Sequence, residues 1–291
     1  MRLSYIVKEN DISIKQILKE YFYMSERYIL KLKKNNCILL NGETVTIYKE
    51  ITENDKLEIV DELEENNSNI VPSSSIPLSI IYEDEYLIIV NKQPGIPVHP
   101  SMSHYTNSLS NAVRYYFDKI GLKKKIRPVN RLDKDTSGLV VFAKNEYIQE
   151  CLVKQMKTNQ FKKKYIAFLE GTLENKCGTI NNPIARKEGS IIERCIDING
   201  DISISHYTVF KELDNFSVVE FSLETGRTHQ IRVHSKYIGH PILGDTLYGN
   251  ESSLISRQAL HAYYITFSHP ITQKKLEFKI DLPEDMQKII M

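Results

Sequence analysis

No stretch of this sequence stays apolar for the roughly 18 residues that a membrane-spanning helix requires. The first residues, Met1-Arg2-Leu3-Ser4-Tyr5, alternate as a strand would and do not form the apolar core of a signal peptide. The four cysteines, Cys37, Cys151, Cys177 and Cys195, are scattered with no CxxC spacing. That argues against a zinc knuckle or a disulfide scaffold and fits a reducing cytoplasm. No HExxH occurs among the eight histidines. His229 and His234, five apart, do not share a helix face as a metal-binding pair would. Glycine-rich nucleotide loops and internal repeats are missing as well. A cytoplasmic protein without metal or cofactor, and with no membrane partner, is the expectation.

Neither sign of charge dominates: 38 Lys and Arg stand against 37 Asp and Glu, for a net charge of +1. The distribution says more. Between Leu122 and Glu170, twelve Lys or Arg accompany five Asp or Glu, with runs at Lys123-Lys124-Lys125 and Lys162-Lys163-Lys164. Such a stripe can track phosphates, or it can be a solvated face. Hydrophobic residues make up 41% and charged residues 26%, the composition of a chain that forms a core.

Residues 61–77, DELEENNSNIVPSSSIP, are acidic and then rich in Asn, Ser and Pro, which predicts a linker. It divides a small unit, 1–62, from a large one, 78–291, with 63–77 between. In the small unit Ser13 and Gln16 have capping-box spacing ahead of Ile14, Ile17, Leu18 and Tyr21. A second helix is expected after Ser25, with Ile29, Leu30 and Leu32 turned inward and Arg27, Lys31, Lys33 and Lys34 elsewhere. Residues 37–40 predict a strand, Asn41-Gly42 a tight hairpin turn, 44–47 the return and 57–60 the closing strand. A basic helix leading into a strand and an Asn-Gly hairpin resembles the small α-L RNA-binding domain. That resemblance implies RNA contacts for Arg27, Lys31 and Lys34; the alternative is a generic adaptor.

The large unit starts with apolar runs at 78–82 and 86–90, split by Glu83-Asp84-Glu85, as two strands around a turn would be. Pro94-Gly95 predicts a type II turn. Further strands are expected at 139–143, 165–169 and 216–221, and helices around 108–120, 146–159 and 228–238. Strands without regular βα alternation predict an α+β domain on a mixed, largely antiparallel sheet with flanking helices, beside the small N-terminal α/β unit.

The segment Arg127-Pro128-Val129-Asn130-Arg131-Leu132-Asp133-Lys134-Asp135-Thr136-Ser137-Gly138 runs straight into an apolar strand. A nucleophilic carboxylate must be ionised, and flanking cations favour the charged form. On the residues alone, Asp133 or Asp135 is a candidate nucleophile or metal ligand, or else an aspartate capping its own turn. The string RLDKDTSGLVVFAK resembles the active-site motif of the RluA-type RNA pseudouridine synthases. Three more segments resemble that family in the same order. They are Asn91-Lys92-Gln93-Pro94-Gly95-Ile96-Pro97-Val98-His99-Pro100, Lys163-Lys164-Tyr165-Ile166-Ala167 with Gly171, and Thr225-Gly226-Arg227-Thr228-His229-Gln230-Ile231-Arg232-Val233-His234, the last continued by Gly239-His240-Pro241-Ile242 and Gly244-Asp245 with Tyr248-Gly249. Two departures stand out: Asn130 replaces the family's usual His, and the proline of the upstream loop comes one place late, after Gln93.

The resemblance implies isomerisation of uridine to pseudouridine in structured RNA, without cofactor. Asp133 would be the nucleophile, at C1′ of the ribose or C6 of the base. Tyr165 would stack on the flipped base and help remove its C5 proton, although a strand tyrosine in the core is the alternative. An arginine of the long signature would pair with the catalytic Asp; Arg232 is preferred over Arg227, as a bidentate and partly buried partner. Arg227, Arg131, Lys163 and His99 become candidates for RNA or loop contacts. Large-subunit ribosomal RNA, alone or in a pre-ribosomal particle, is the expected substrate. Transfer RNA and a non-catalytic ribosome-assembly factor are the alternatives. A monomer is expected.

Overall fold

The structure is a computed structural model that describes residues 1–8, 10 and 12–291. The small unit holds strand β1 (Arg2–Ile6), a short helix α1 (Ile14–Gln16) continued by a π-helical turn (Ile17–Tyr21), and α2 (Glu26–Lys34). Strands β2 (Ile38–Leu40), β3 (Glu43–Thr44) and β4 (Lys56–Val60) follow, in an antiparallel sheet of order β1-β4-β2-β3. The expected capping box at Ser13 and Gln16 forms, because the Ser13 hydroxyl and the Gln16 amide satisfy backbone N–H groups that a first helical turn leaves open. Asn41 and Gly42 both take positive φ, +52° and +87°, as a type I′ hairpin turn demands. The return strand is shorter than the spacing predicts: its last bond to β2 runs from the Val45 N–H to the Ile38 carbonyl, and 46–47 do not pair.

Residues 61–77 contain no helix or strand, yet they are fastened to the large unit. Glu65 accepts two 2.7 Å bonds from Arg127 and one of 2.9 Å from Lys31. Burial opposes its charge, but the hydrogen bonds from Arg127 and Lys31 prevail and hold its pKa down to about 2. Asn67 bridges the Lys124 carbonyl and the Ile126 N–H. Buried Tyr28 of α2 donates to Asp61 at 2.6 Å.

The large unit is a mixed sheet with flanking helices. Its strands are β5 (Ser79–Glu83), β6 (Leu87–Lys92), β7 (Arg127–Pro128), β8 (Ser137–Ala143), β9 (Lys162–Glu170), β10 (Cys177–Asn181), β13 (Ile204–Glu212), β14 (Phe216–Leu223), β15 (Leu260–Ser268) and β16 (Lys275–Lys279). A separate hairpin pairs β11 (Ile184–Arg186) with β12 (Arg194–Ile196). The sheet order is β10-β13-β14-β9-β15-β8-β6-β5, with β16 on β15 and β7 on β8. Every pairing is antiparallel except β15 with β8. Helices α3 (Leu109–Lys119), α4 (Glu146–Lys157), α5 (Gln230–Tyr237) and α6 (Glu284–Ile290) flank it. The α+β expectation holds.

The central strands are apolar on both faces, so they show no alternation. On β6 and β8, Ile88, Val90, Val140 and Phe142 face a core that includes Val113 and Phe117 of α3. The intervening Leu87, Ile89, Leu139 and Val141 face Ile148 and Leu152 of α4, in a core continuous with that of the small unit. The single parallel contact has its own requirement. Gly138 sits at φ +122°, and a Cβ there would lie 2.3 Å from the Ala262 carbonyl oxygen. Only glycine lets β8 leave the Asp133 loop this close to β15.

Candidate active site

Three neighbouring parts of the sheet converge on one cleft of about 500 Å³. The loop between β7 and β8 brings Asn130 to Asp133, β9 brings Lys163 and Tyr165, and the β14–α5 connection brings Arg227 and His229 with Arg232 behind them. The loop is fixed from within. The Asn130 side chain donates to the Leu139 carbonyl at 3.0 Å and accepts from Val141 N–H at 2.9 Å, extending the β7–β8 ladder where the backbone has left it. The Asp133 carbonyl accepts from Thr136 N–H, closing a turn. Beneath the turn, fully buried Lys92 donates to the carbonyls of Gln93, Ile96 and Lys134. Burial draws its pKa down to about 7 against the pull of Asp135 and Asp133. Arg257, paired with Asp285 of α6 through bonds of 2.7 and 2.9 Å, donates to the carbonyl of Asp135. Two buried cations therefore hold two successive carbonyls of the loop, which leaves Asp133 little freedom to turn.

The Asp133 carboxylate makes no bond to its own turn, as a capping aspartate would. It meets Arg232 Nη1 at 3.4 Å and lies 4.0 Å from His229 Nε2. The bidentate, buried pairing expected for Arg232 with Asp133 forms instead with Asp245, through bonds of 2.7 Å from Nε and 2.7 Å from Nη2. The Asp245 carboxylate is fully buried and lies in the loop after α5, so it takes the two parallel N–H directions of the guanidinium and leaves Nη1 for Asp133. Tyr248 covers the same guanidinium at 4.9 Å, and its hydroxyl meets His229 Nδ1 at 2.8 Å and the Arg194 N–H at 2.8 Å.

The helix expected over 228–238 starts at Gln230, because His229 adopts a left-handed conformation, φ +58°, that aims its ring at the cleft. Gln230 fixes the entry: its side-chain oxygen accepts from the Thr225 hydroxyl and the Arg227 N–H, and its nitrogen donates to the Ile204 carbonyl and Ser205. His234 is spent on Ser205 and the Asn182 carbonyl. Among the described residues, no three His, Cys, Asp or Glu come together to hold a metal ion.

Tyr165 lines the cleft but is almost fully buried, and burial followed by the charge of Asp133 pushes its pKa far above the ordinary phenol value. Lys163 lies beside it, with its pKa lowered by burial and no ion pair among the described residues. Arg131 is exposed on the cleft rim. Arg227 is exposed too, with Nε donating to the Ile202 carbonyl. His99 stands near Arg131 in a neighbouring groove. The helix α2 residues lie apart from the cleft. Lys31 is turned inward onto Glu65 and Glu146, so its charge is already matched within the chain, Arg27 is exposed but touches Glu146, and Lys34 is exposed. Asp245, Tyr248 and His229 lie within the quoted signature, but spacing assigns them no task. Asp245 follows Arg232 by 13 residues, across a turn that no helical periodicity describes.

A mixed sheet flanked by helices carries a cleft in which a loop carboxylate meets a buried arginine, and comparison with known proteins names the group to which such a chain belongs. The family model described as RNA pseudouridylate synthase matches residues 86–237. The chain is 39% identical over 277 residues to the RNA pseudouridine synthase YjbO of Bacillus subtilis, covering 94% of this chain and 98% of that one. It is 37% identical to the ribosomal large subunit pseudouridine synthase D of Buchnera aphidicola, covering 94% and 88%. Among solved structures, human RNA pseudouridylate synthase domain containing 1 matches with a TM-score of 0.59 and 28% identity, over 73% of this chain and 86% of that one. This chain belongs to the RNA pseudouridine synthase family, and its substrate is RNA.

Proposed function

We propose that the chain converts uridine to pseudouridine in large-subunit ribosomal RNA, with Asp133 as nucleophile, Arg232 as its partner and Tyr165 against the target base. The observation that carries the assignment of residues is the Asp133 carboxylate, held in a cleft by one contact from a buried, otherwise paired arginine. The ribosomal substrate is supported by the relatives named for the large subunit, which align through the N-terminal unit as well as the catalytic one.

The reaction breaks the N1–C1′ bond, turns the uracil and rejoins it through C5. A uridine must leave its stack to reach Asp133, and the cleft is the pocket that receives it. Attack by one Asp133 oxygen gives a covalent intermediate, and Arg232 keeps the carboxylate in place for its later departure. Bonding also removes the Asp133 charge, the second cause that raises the pKa of Tyr165. Burial, the larger cause, remains, so the phenol holds its proton and is suited to pack against the base.

The test is release of tritium from C5-labelled uridine in unmodified ribosomal and transfer RNA transcripts. Release from ribosomal RNA by the wild type and none by Asp133→Asn supports the reading. Release from transfer RNA alone moves the substrate, and undiminished release by Asp133→Asn overturns the nucleophile.

A further inference from the structure

His229 holds a left-handed backbone, φ +58° and ψ +20°, that a non-glycine residue keeps only where its surroundings impose it. The Gln230 side chain imposes it by tying together Thr225 and Arg227 ahead of α5. The ring is thereby placed on the wall of the cleft that holds Asp133.

The ring is also fixed in its protonation. Buried Tyr248 accepts the backbone N–H of Arg194 at 2.8 Å, and its hydroxyl meets His229 Nδ1 at 2.8 Å. Burial raises the pKa of Tyr248, so the phenol keeps its proton. Among the described residues the acceptor open to that proton is His229 Nδ1. Burial lowers the pKa of His229 against the pull of Asp133, which leaves the imidazole neutral. Its own proton therefore sits on Nε2. Nε2 lies 4.0 Å from Asp133 Oδ2, too far for a hydrogen bond, and has no acceptor among the described residues. Oδ2 is the oxygen that Arg232 also meets, at 3.4 Å, which leaves Oδ1 to attack.

Glycosidic cleavage supplies the missing acceptor. As Oδ1 bonds to C1′, the N1–C1′ electron pair leaves with the base, and its charge spreads from N1 over O2 and O4. A preset donor at O2 stabilises that anion without transferring a proton. Turning the ring about the line from C6 to N3 exchanges N1 with C5 and O2 with O4. The donor that meets O2 before the turn therefore meets O4 after it. C5 then bonds to C1′ with a ring electron pair, and Asp133 departs with the pair of its own bond.

We propose that His229 is a catalytic donor whose Nε2–H binds a uracil carbonyl in both orientations, O2 during cleavage and O4 during rejoining, with Tyr248 as the positioning residue that keeps the proton on Nε2. The proposal rests on Asp133 as nucleophile, with attack at C1′.

The experiment measures single-turnover rates of the full-length protein on two large-subunit ribosomal RNA transcripts, one made with uridine and one with 5-fluorouridine. Fluorine at C5 stabilises the departing anion, so cleavage needs less help from a donor. Loss of the starting nucleoside, read by chromatography, follows cleavage on both. His229→Phe keeps a ring and removes the donor. It should lose about 100-fold on the uridine transcript, as removal of one such donor does, with unchanged RNA affinity and a clearly smaller loss on the fluorouridine transcript. His229→Gln, whose amide can donate, should recover most of the rate. Tyr248→Phe should show the same dependence on the leaving group with a smaller loss. Equal losses by His229→Phe on the two transcripts overturn the proposal, because a side chain that only shapes the cleft does not respond to the leaving group. A fall in affinity with an unchanged rate at saturating RNA overturns it too, as does a His229→Gln rate no better than that of His229→Phe. Equal losses by Tyr248→Phe on both transcripts overturn its positioning role. Asp133→Asn should fail on both transcripts alike; activity retained there overturns the nucleophile itself, whereas the His229 outcomes overturn only the donor.

Discussion

Replacing Asp245 by Asn tests how Arg232 is held. The change keeps the shape of the side chain and removes its charge, so the guanidinium loses the partner that takes two of its 2.7 Å bonds. The Arg232 side chain is only 9% exposed and that of Asp245 is 0% exposed, so water cannot replace the lost carboxylate. Breaking a buried pair from one side costs about 3–5 kcal/mol. Here Asp133, at 3.4 Å, offsets a part, and the expected loss of unfolding free energy is about 3 kcal/mol. The same offset predicts the kinetic effect. A guanidinium released from Asp245 turns its forked N–H groups onto Asp133, neutralises the carboxylate and draws it out of line, and misplacement of about 1 Å costs roughly 100-fold in rate. Urea unfolding gives the first quantity and single-turnover tritium release the second. RNA affinity should be unaffected, since Asp245 does not reach the cleft surface. A stability loss under about 1 kcal/mol together with a rate within twofold of wild type would refute the claim that Asp245 orients Arg232.

Gly138→Ala places a methyl group 2.3 Å from the Ala262 oxygen at φ +122°, and calorimetry should show a Tm lower by roughly 10 °C, from about 4 kcal/mol of overlap and backbone strain. Asn130→Ala leaves the buried Leu139 carbonyl and Val141 N–H without partners and should cost about 2 kcal/mol in urea unfolding, with a larger fall in rate than in RNA affinity. His261 is buried and neutral, with a pKa lowered to about 4 by burial and then by Arg257. As pH falls from about 6.5 to about 4, the unfolded chain takes up a proton that the folded one refuses, so about 3 kcal/mol of stability is lost across that window. His261→Gln should lack this component, and parallel unfolding curves for the two proteins between pH 7 and pH 4 would contradict it.

The sequence was most legible where local chemistry decides the outcome. Ser13 with Gln16, Asn41-Gly42 and Pro94-Gly95 announce a cap and two turns because each satisfies its own backbone. The apolar runs of β6 and β8 announce strands buried on both faces. The strands between 177 and 212 were not expected, because β13 is largely exposed along its second half and its residues alternate weakly. Nor was β15, where Leu260 to Phe267 mixes His, Tyr and Thr into a central strand. The linker composition of 61–77 was read without the partners that hold it: Glu65 and Asn67 find Arg127 and Ile126 about 60 residues away. The ion pairs of Lys31 are equally invisible in the sequence, since its carboxylates come from two distant segments.

The site shows the same limit and the reason for it. Asp133, Tyr165 and Arg232 were nameable because motif resemblance fixes them, but which carboxylate takes the fork of Arg232 depends on a turn after α5 that only the fold supplies. The arrangement has a chemical consequence. An arginine committed to Asp133 alone would hold that carboxylate by both oxygens and draw charge from both. With Asp245 occupying Nε and Nη2, Arg232 gives Asp133 a single contact at 3.4 Å, the loose restraint that the proposed nucleophile role calls for. Lys92 and Arg257 complete the restraint through the backbone of the loop, where they fix position without touching the reacting oxygens. Asp133 is thus restrained from two directions, by Arg232 at its carboxylate and by Lys92 and Arg257 through the carbonyls of its loop.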